Sequence, residues 1–219
     1  MQSKVFFSFF KKYPLALILI RLMMNMTTTI SIGYSTLILK CKLRILKCKF
    51  GTNLKADGKI IISTKHLECI HIGDHLKINS RFKSNLVGIT NPAVFQCIKG
   101  GTISIGNYCG LSATVLSARS NITIGSNVKI GANVKIFDHD YHSLDYKKRR
   151  DPVLDGENCK YSPIVIGDDV FIGVNSIILK GVNIGPRTII GAGSVVAIKN
   201  IPADSVVYGN PAKIIEKTI

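Results

Sequence analysis

The chain has no tryptophan, and aromatic residues make up only 7% of its 219 residues. A wide core built around large rings is therefore excluded, and a narrow interior that admits Ile and Val but not large rings is expected. The 46% hydrophobic content still rules out a wholly disordered chain. Acidic residues are scarce as well: 13 Asp+Glu stand against 29 Lys+Arg, a formal net charge of +16. Lys4, Lys11, Lys12, Arg21, Lys40, Lys42, Arg44, Lys47, Lys49 and Lys55 all precede the first acidic residue, Asp57. The excess thus belongs mainly to the first quarter. With no base-reading or stacking element beside it, it argues against nucleic acid. The six cysteines (Cys41, Cys48, Cys69, Cys97, Cys109, Cys159) contain no CxxC pair. That excludes a metal knuckle and disfavours a disulfide framework, leaving small hydrophobes in a reducing, cytoplasmic compartment. The uncharged run between Lys12 and Arg21 falls short of the roughly 20 residues that cross a bilayer.

What is present is a six-residue repeat. From Ile166 the chain reads Ile166-Gly167-Asp168-Asp169-Val170-Phe171, then Ile172-Gly173-Val174-Asn175-Ser176-Ile177, and keeps that frame through Ile178, Ile184 and Ile190. Copies begin at Ile124 and Ile130, with fainter ones at Ile105 and Ile72. No helix has a period of six, and a lone strand has a period of two. Short strands joined by fixed turns do fit, with one aliphatic side chain per strand pointing inward. Three units close a triangular coil of eighteen residues, the interval from Ile166 to Ile184. Gly and Asn then take corners that need positive φ, which explains Asn127, Asn133 and Asn175 better than catalysis does. His66, His71 and His75 have surface or corner places.

Breaks in the period mark excursions. Ile124 to Ile166 is 42 residues, two coils plus six, so residues 137–162 are expected to project. This stretch is polar: Asp138-His139-Asp140-Tyr141-His142-Ser143-Leu144-Asp145, followed by the cations at 147–150. Loops leaving a rigid solenoid are where function tends to sit. A second irregular stretch covers residues 79–101. The organisation expected is a basic, apolar segment at 1–57, a β-helix at 58–213 and a tail at 214–219. Phe6, Phe7, Phe9, Phe10, Lys11, Lys12 and the run from Leu15 to Ile20 suit a cap on one open end or contact with an anionic membrane surface. The tail is expected to cover the other end.

These residues resemble the hexapeptide-repeat acyltransferases over about residues 58–215. The sharpest parts are the repeats, the histidine loop and the signature Ile201-Pro202-Ala203-Asp204-Ser205-Val206-Val207-Tyr208-Gly209-Asn210-Pro211-Ala212-Lys213. The resemblance implies an all-β fold, a left-handed parallel β-helix, and is strongest to the maltose and galactoside acetyltransferases. Their loop reads His-Pro-Leu-Asp-x-x-x-Arg, and His142-Ser143-Leu144-Asp145 followed by Arg149 matches it with Ser in place of Pro. A variant, Asp-x-Asp-x-His, fits residues 138–142 with His142 at its end. His142 is therefore the candidate base, ahead of His139.

The activity implied is acetyl transfer from acetyl-CoA to a hydroxyl of a sugar or glycan, in surface-polysaccharide synthesis. An alcohol is a weak nucleophile and needs a base; a neutral imidazole suits that role. Asp138, Asp140 or a backbone carbonyl would hold its second nitrogen, and backbone N–H groups of the adjacent coil would meet the charge on the carbonyl oxygen. By resemblance, Val174, Ala192 and Ala197 line the coenzyme's pantetheine arm, Lys199 and Lys213 meet its phosphates, and Ser112, Thr114 and Arg149 lie near the acceptor. Phe171 stands where relatives often have Trp. The family also implies a homotrimer, with the coenzyme between subunits, and no metal is expected. A β-helical carbonic anhydrase would need three converging histidines and lacks the coil-spaced partners. N-acetylation of a nucleotide-amino sugar and a non-catalytic β-helix scaffold remain as alternatives. The location expected is the cytoplasm, with the inner face of the membrane as the place of any contact.

Overall fold

Each six-residue unit forms one short strand and one turn, and three units make a coil. The computed structural model describes residues 15–217. The aromatic and basic start at residues 1–14, and residues 218–219 of the tail, lie outside the described residues. Three parallel sheets result, each taking one strand from successive coils. The first contains Lys49–Phe50, Ile70–Ile72, Thr102–Ile105, Asn121–Ile124, Ile164–Ile166, Asn183–Ile184 and Asn200–Ile201. The second runs from Lys55–Gly58 to Ser205–Gly209, and the third from Ile60–Thr64 to Val195–Val196. Ile166 pairs with Ile184, Ile172 with Ile190 and Ile178 with Val196, the eighteen-residue coil in each case.

One aliphatic residue per strand points inward, so Ile70, Ile103, Ile122 and Ile164 stack with no exposure. Burying each contributes roughly 1.5–3 kcal/mol relative to exposing it. Phe95 corrects the expectation that no large ring enters: it is fully buried on the strand Ala93–Cys97. Small residues on the same face of that strand, Ala93 and Cys97, leave the room. Five of the six free cysteines are buried, and burial pushes the thiols of Cys48, Cys97 and Cys109 up from their ordinary value.

The corners have two chemistries. Asn127, Asn133 and Asn175 each have φ of 60°, a left-handed conformation that Asn tolerates. His75 is also a corner residue (φ 59°), its ring stacked on Tyr108 at 4.5 Å. The glycines of the Ile-Gly pairs, in contrast, do not have positive φ. A Cβ on Gly167 would lie 2.7 Å from the backbone nitrogen of Pro186 in the next coil. Those glycines are required by the close approach of stacked turns.

The excursion is longer than the repeat count implies. Ile124 and Ile166 are direct partners in the first sheet, so a single coil carries 24 extra residues. The expected two coils plus six is corrected. Residues 138–163 leave the corner between the third and first sheets and carry two short helices, α2 (Tyr146–Arg149) and α3 (Pro152–Glu157), numbered after the N-terminal helix α1.

The N-terminal helix α1 spans Leu15–Ile45. Arg21 does not end it, because residues 22–39 carry no charge at all. Over Leu17–Ile45 it is long and apolar enough, by length and composition, to cross a membrane, with a mean hydropathy of 1.2. Its C-terminal half lies across the first coil. Leu39 and Leu43 are buried, and the open edge of Lys55–Gly58 is satisfied by side chains. The Ala56 N–H donates to Thr36 Oγ1 at 2.9 Å, and the Gly58 N–H to Ser35 Oγ at 3.1 Å. Lys42 Nζ donates to the Ile60 carbonyl at 3.0 Å. A bare strand edge invites foreign pairing, and this helix covers it. The first coil starts at Lys49, so the 57/58 boundary falls inside a strand. At the other end Ala212–Lys217 pairs antiparallel with Ser205–Gly209, so residues 214–217 continue a strand begun at Ala212.

Candidate active site

The base of the long loop is zipped to the β-helix. His139 and Tyr161 form an antiparallel bridge, the Asp140 N–H donates to the Lys160 carbonyl, and the Ser162 N–H to the Asp138 carbonyl. Asp138 is fully buried and accepts the N–H groups of Arg119 and Ser120 at 2.7 Å each. Its Oδ1 also lies 3.0 Å from His139 Nδ1. With both carboxylate oxygens already accepting backbone N–H groups, His139 Nδ1 is placed to donate to Oδ1. Tyr141 covers His139, ring centroids 4.2 Å apart, and its hydroxyl donates to Ser117 Oγ at 2.8 Å. Asp140 is paired with Lys180 from the next coil.

Above this base the loop presents His142. Its side chain is 68% exposed, and Nδ1 lies 2.7 Å from Oδ2 of Asp155, whose side chain is 14% exposed. The Ser143 N–H donates to the other oxygen of Asp155 at 2.6 Å. Asp155 is placed by α3, which starts on an Asp151 cap whose carboxylate accepts from Val153 and Leu154, with Pro152 in the first turn. The His142 ring, then the Ser143 N–H, hold the Asp155 carboxyl below its ordinary value. An ionised Asp155 fixes the proton on His142 Nδ1 and leaves Nε2 as an exposed acceptor. This arrangement can take a proton from a hydroxyl or amine.

Sequence reasoning missed Asp155. The partner of His142 is neither Asp138, which anchors the loop base, nor Asp140, which pairs with Lys180. The Asp151-Pro152 pair signals a helix start there, but not that the helix returns Asp155 to His142. Three acceptor-side candidates hold contacts within the chain. Arg149 donates to the Ser143 carbonyl at 2.7 Å and braces the loop. Thr114 is fully buried with its hydroxyl toward the Ser112 carbonyl, and Ser112 accepts from Asn79 and Asn85.

The coenzyme candidates are divided within one chain. Val174 and Ala192 lie on the edge between the second and third sheets, stacked so closely that a Cβ on Gly173 would meet the Ala192 backbone. Ala197 and Lys199 lie on the edge between the third and first sheets, where the long loop leaves. Lys213 is exposed on the terminal antiparallel strand. Among the described residues, no group of three or more His, Cys, Asp or Glu is placed to hold a metal ion.

Residues 163–197 match the bacterial transferase hexapeptide (six repeats) family. The 2,3,4,5-tetrahydropyridine-2,6-dicarboxylate N-acetyltransferase of Staphylococcus aureus is 48% identical over 56 residues, 26% of this chain. The match spans 23% of that protein, so the chain covers about a quarter of the length of the curated relatives it matches. AntD, an N-acyltransferase from Bacillus cereus solved with dTDP and 3-hydroxybutyryl-CoA, superposes with a TM-score of 0.65. It covers 82% of this chain and 88% of its own at 18% identity, a likeness of fold. A maltose O-acetyltransferase from Clostridium difficile is 30% identical, with 81% of this chain and 73% of that one covered and a TM-score of 0.50. With a likeness that runs through most of both sequences as well as the repeat itself, the chain belongs to the hexapeptide-repeat acyltransferase family.

Proposed function

We propose that the protein transfers the acetyl group of acetyl-CoA to a hydroxyl of a sugar or glycan during surface-polysaccharide synthesis. The observation that carries this reading is the His142–Asp155 pair, with Nδ1 held at 2.7 Å on a ring that is mostly exposed. Acetyl-CoA supplies the activated acyl group. The acceptor hydroxyl gives its proton to His142 Nε2 as its oxygen bonds to the thioester carbonyl carbon. The carbon–sulfur bond then breaks and the sulfur takes that proton, so an ester and a free thiol result and the imidazole is neutral again. Asp155 keeps the productive tautomer and opposes the positive charge that the ring carries between the two transfers.

The division of Val174 and Ala192 from Ala197 and Lys199 supports a coenzyme groove between subunits, where the edge of one copy meets a different edge of the next. A closed homotrimer with left-handed coils is the assembly we assign to this reading. A thiol-release assay with acetyl-CoA tests it against sugars, nucleotide-sugars, amino sugars and oligosaccharides. Turnover on a hydroxyl acceptor, lost in His142→Ala, is the expected result. Turnover on amino sugars alone would make the protein an N-acetyltransferase. Undiminished turnover in His142→Ala would sink the mechanism, and none on any acceptor would favour a scaffold.

A further inference from the structure

The helix α1 has two faces with different destinations. Ser35, Leu39, Lys42 and Leu43 lie toward the first coil and are half-buried or buried there. On the opposite side Leu19, Met23, Met26, Ile30, Tyr34 and Leu37 recur every three or four residues, and each is more than half exposed. That spacing is one continuous stripe on a helix. It continues past the point where α1 settles on the β-helix, so the capping half is apolar on its outer side too. Monomeric soluble proteins rarely leave so long an apolar surface uncovered.

Charge identifies what covers it. Lys40 follows Leu37 by three residues, which sets it beside the stripe, and Arg44, exposed at the helix end, has its guanidinium over the Phe50 ring of the first coil at 5.6 Å. The helix contains no acidic residue. A second copy packed on this face would bring like charges together, whereas anionic lipid headgroups complement them. The bonds of Ser35, Thr36 and Lys42 hold the C-terminal half flat on the first coil. The described part of the helix that projects beyond the first coil, residues 15–30, continues the outer stripe for about 24 Å at 1.5 Å per residue. A helix fixed in this way has the β-helix on its inner side, so its outer stripe is the face left to meet a membrane along the helix.

We propose that α1 is an in-plane membrane seat. Its outer stripe rests in the interface of an anionic bilayer along the whole helix, and its inner face carries the β-helix. The coils then stack away from the membrane. The long loop leaves the fourth coil, three strand spacings above the first and one helix diameter above the lipid, on the order of 25 Å from the interface. This goes beyond the acyl-transfer reading and does not depend on it.

The absence of tryptophan makes the test direct, because a single introduced indole is the only one in the protein. Leu19→Trp, Leu37→Trp and, on the long loop, Tyr161→Trp are made in the full chain. Each is mixed with phosphatidylcholine vesicles, with or without phosphatidylglycerol, bearing brominated acyl chains. The expected result is a blue shift and quenching for both helix positions on anionic vesicles, and neither effect for Tyr161→Trp. Neutralising both cations, Lys40→Gln with Arg44→Gln, lowers vesicle partition about thirtyfold. Melting curves of the three tryptophan variants match the parent, since each of those side chains is more than half exposed; Lys40→Gln with Arg44→Gln also removes a contact on Phe50, so its melting curve is measured beside its partition.

Quenching at neither helix position overturns the proposal, as does equal binding to neutral vesicles. Quenching of Leu19→Trp alone means that the helix stands upright and overturns the in-plane seat. A shifted emission without vesicles, in an assembly that Met26→Glu dissociates, means that copies of the chain cover the stripe and overturns it too. Thiol release from acetyl-CoA onto a soluble acceptor is measured without vesicles, so failure of the acyl-transfer reading is scored separately.

Discussion

Residues 164–196 and residues 138–163 adjoin in sequence and are held by opposite means. In the coils every strand repeats one solution: an inward aliphatic residue, a ladder of backbone bonds and a turn whose glycine or asparagine suits its corner. Ile164, Ile172, Ile178 and Ile190 are all fully buried, and none is special. The loop buries little. It keeps its shape through a few carboxylates, each in a single place: Asp138 at the base, Asp151 at the start of α3, and Asp155 between His142 and Ser143. Stability is therefore spread over the coils, whereas chemistry is concentrated in single contacts of the loop.

That contrast has a sharp form in two variants. His142→Ala is expected to lower turnover by about 10²–10⁴ while leaving the melting transition unmoved, because the side chain is mostly solvated. Ile164→Ala should do the reverse, costing about 2–5 kcal/mol of stability by denaturant unfolding. A loop variant that melts early, or a coil variant that keeps full stability, would erase the distinction.

Asp155→Asn is a smaller perturbation and reports on the same pair. An amide cannot serve as the anion that orients the ring, so turnover should fall, though by less than in His142→Ala. The Asp155 carboxyl is held below its ordinary value by His142 and Ser143. Its contribution is thus complete above the ordinary carboxylate range and is lost as pH falls through the lowered folded value. Limited proteolysis of the loop should show this acid-dependent opening in the parent, and Asp155→Asn should show an opened loop without that dependence. The smallest effect is expected at a corner: Asn175→Ala, with φ of 60°, should cost about 1 kcal/mol, and Asn175→Gly close to nothing.

The repeat was legible because every unit states it again. From Ile166 to Val196 the register follows the eighteen-residue interval in all three sheets. Across the break the same arithmetic failed, since Ile124 and Ile166 are neighbours and not separated by further coils. A period reports phase, and a segment without the period removes the count. His142 was visible through the spacing of Leu144, Asp145 and Arg149 around it. Asp155 was not, since its contact arises when α3 turns the chain back over thirteen residues. Ser112, Thr114 and Arg149 have partners within the chain that their spacing in the sequence did not announce.

The scarcity of rings and the even supply of Ile, Val and Gly settled the β-helix from sequence, because burial of one aliphatic residue per strand is a local requirement met in every unit. The early surplus of cations likewise marked the first quarter as different from the rest. Only the tertiary structure decided what the singular residues do. It gave Asp138 to the loop base, Asp155 to His142, and the two faces of α1 to the first coil and to the exterior. Each is a contact made once, between segments without a shared period, and its energy depends on where the chain has already been folded.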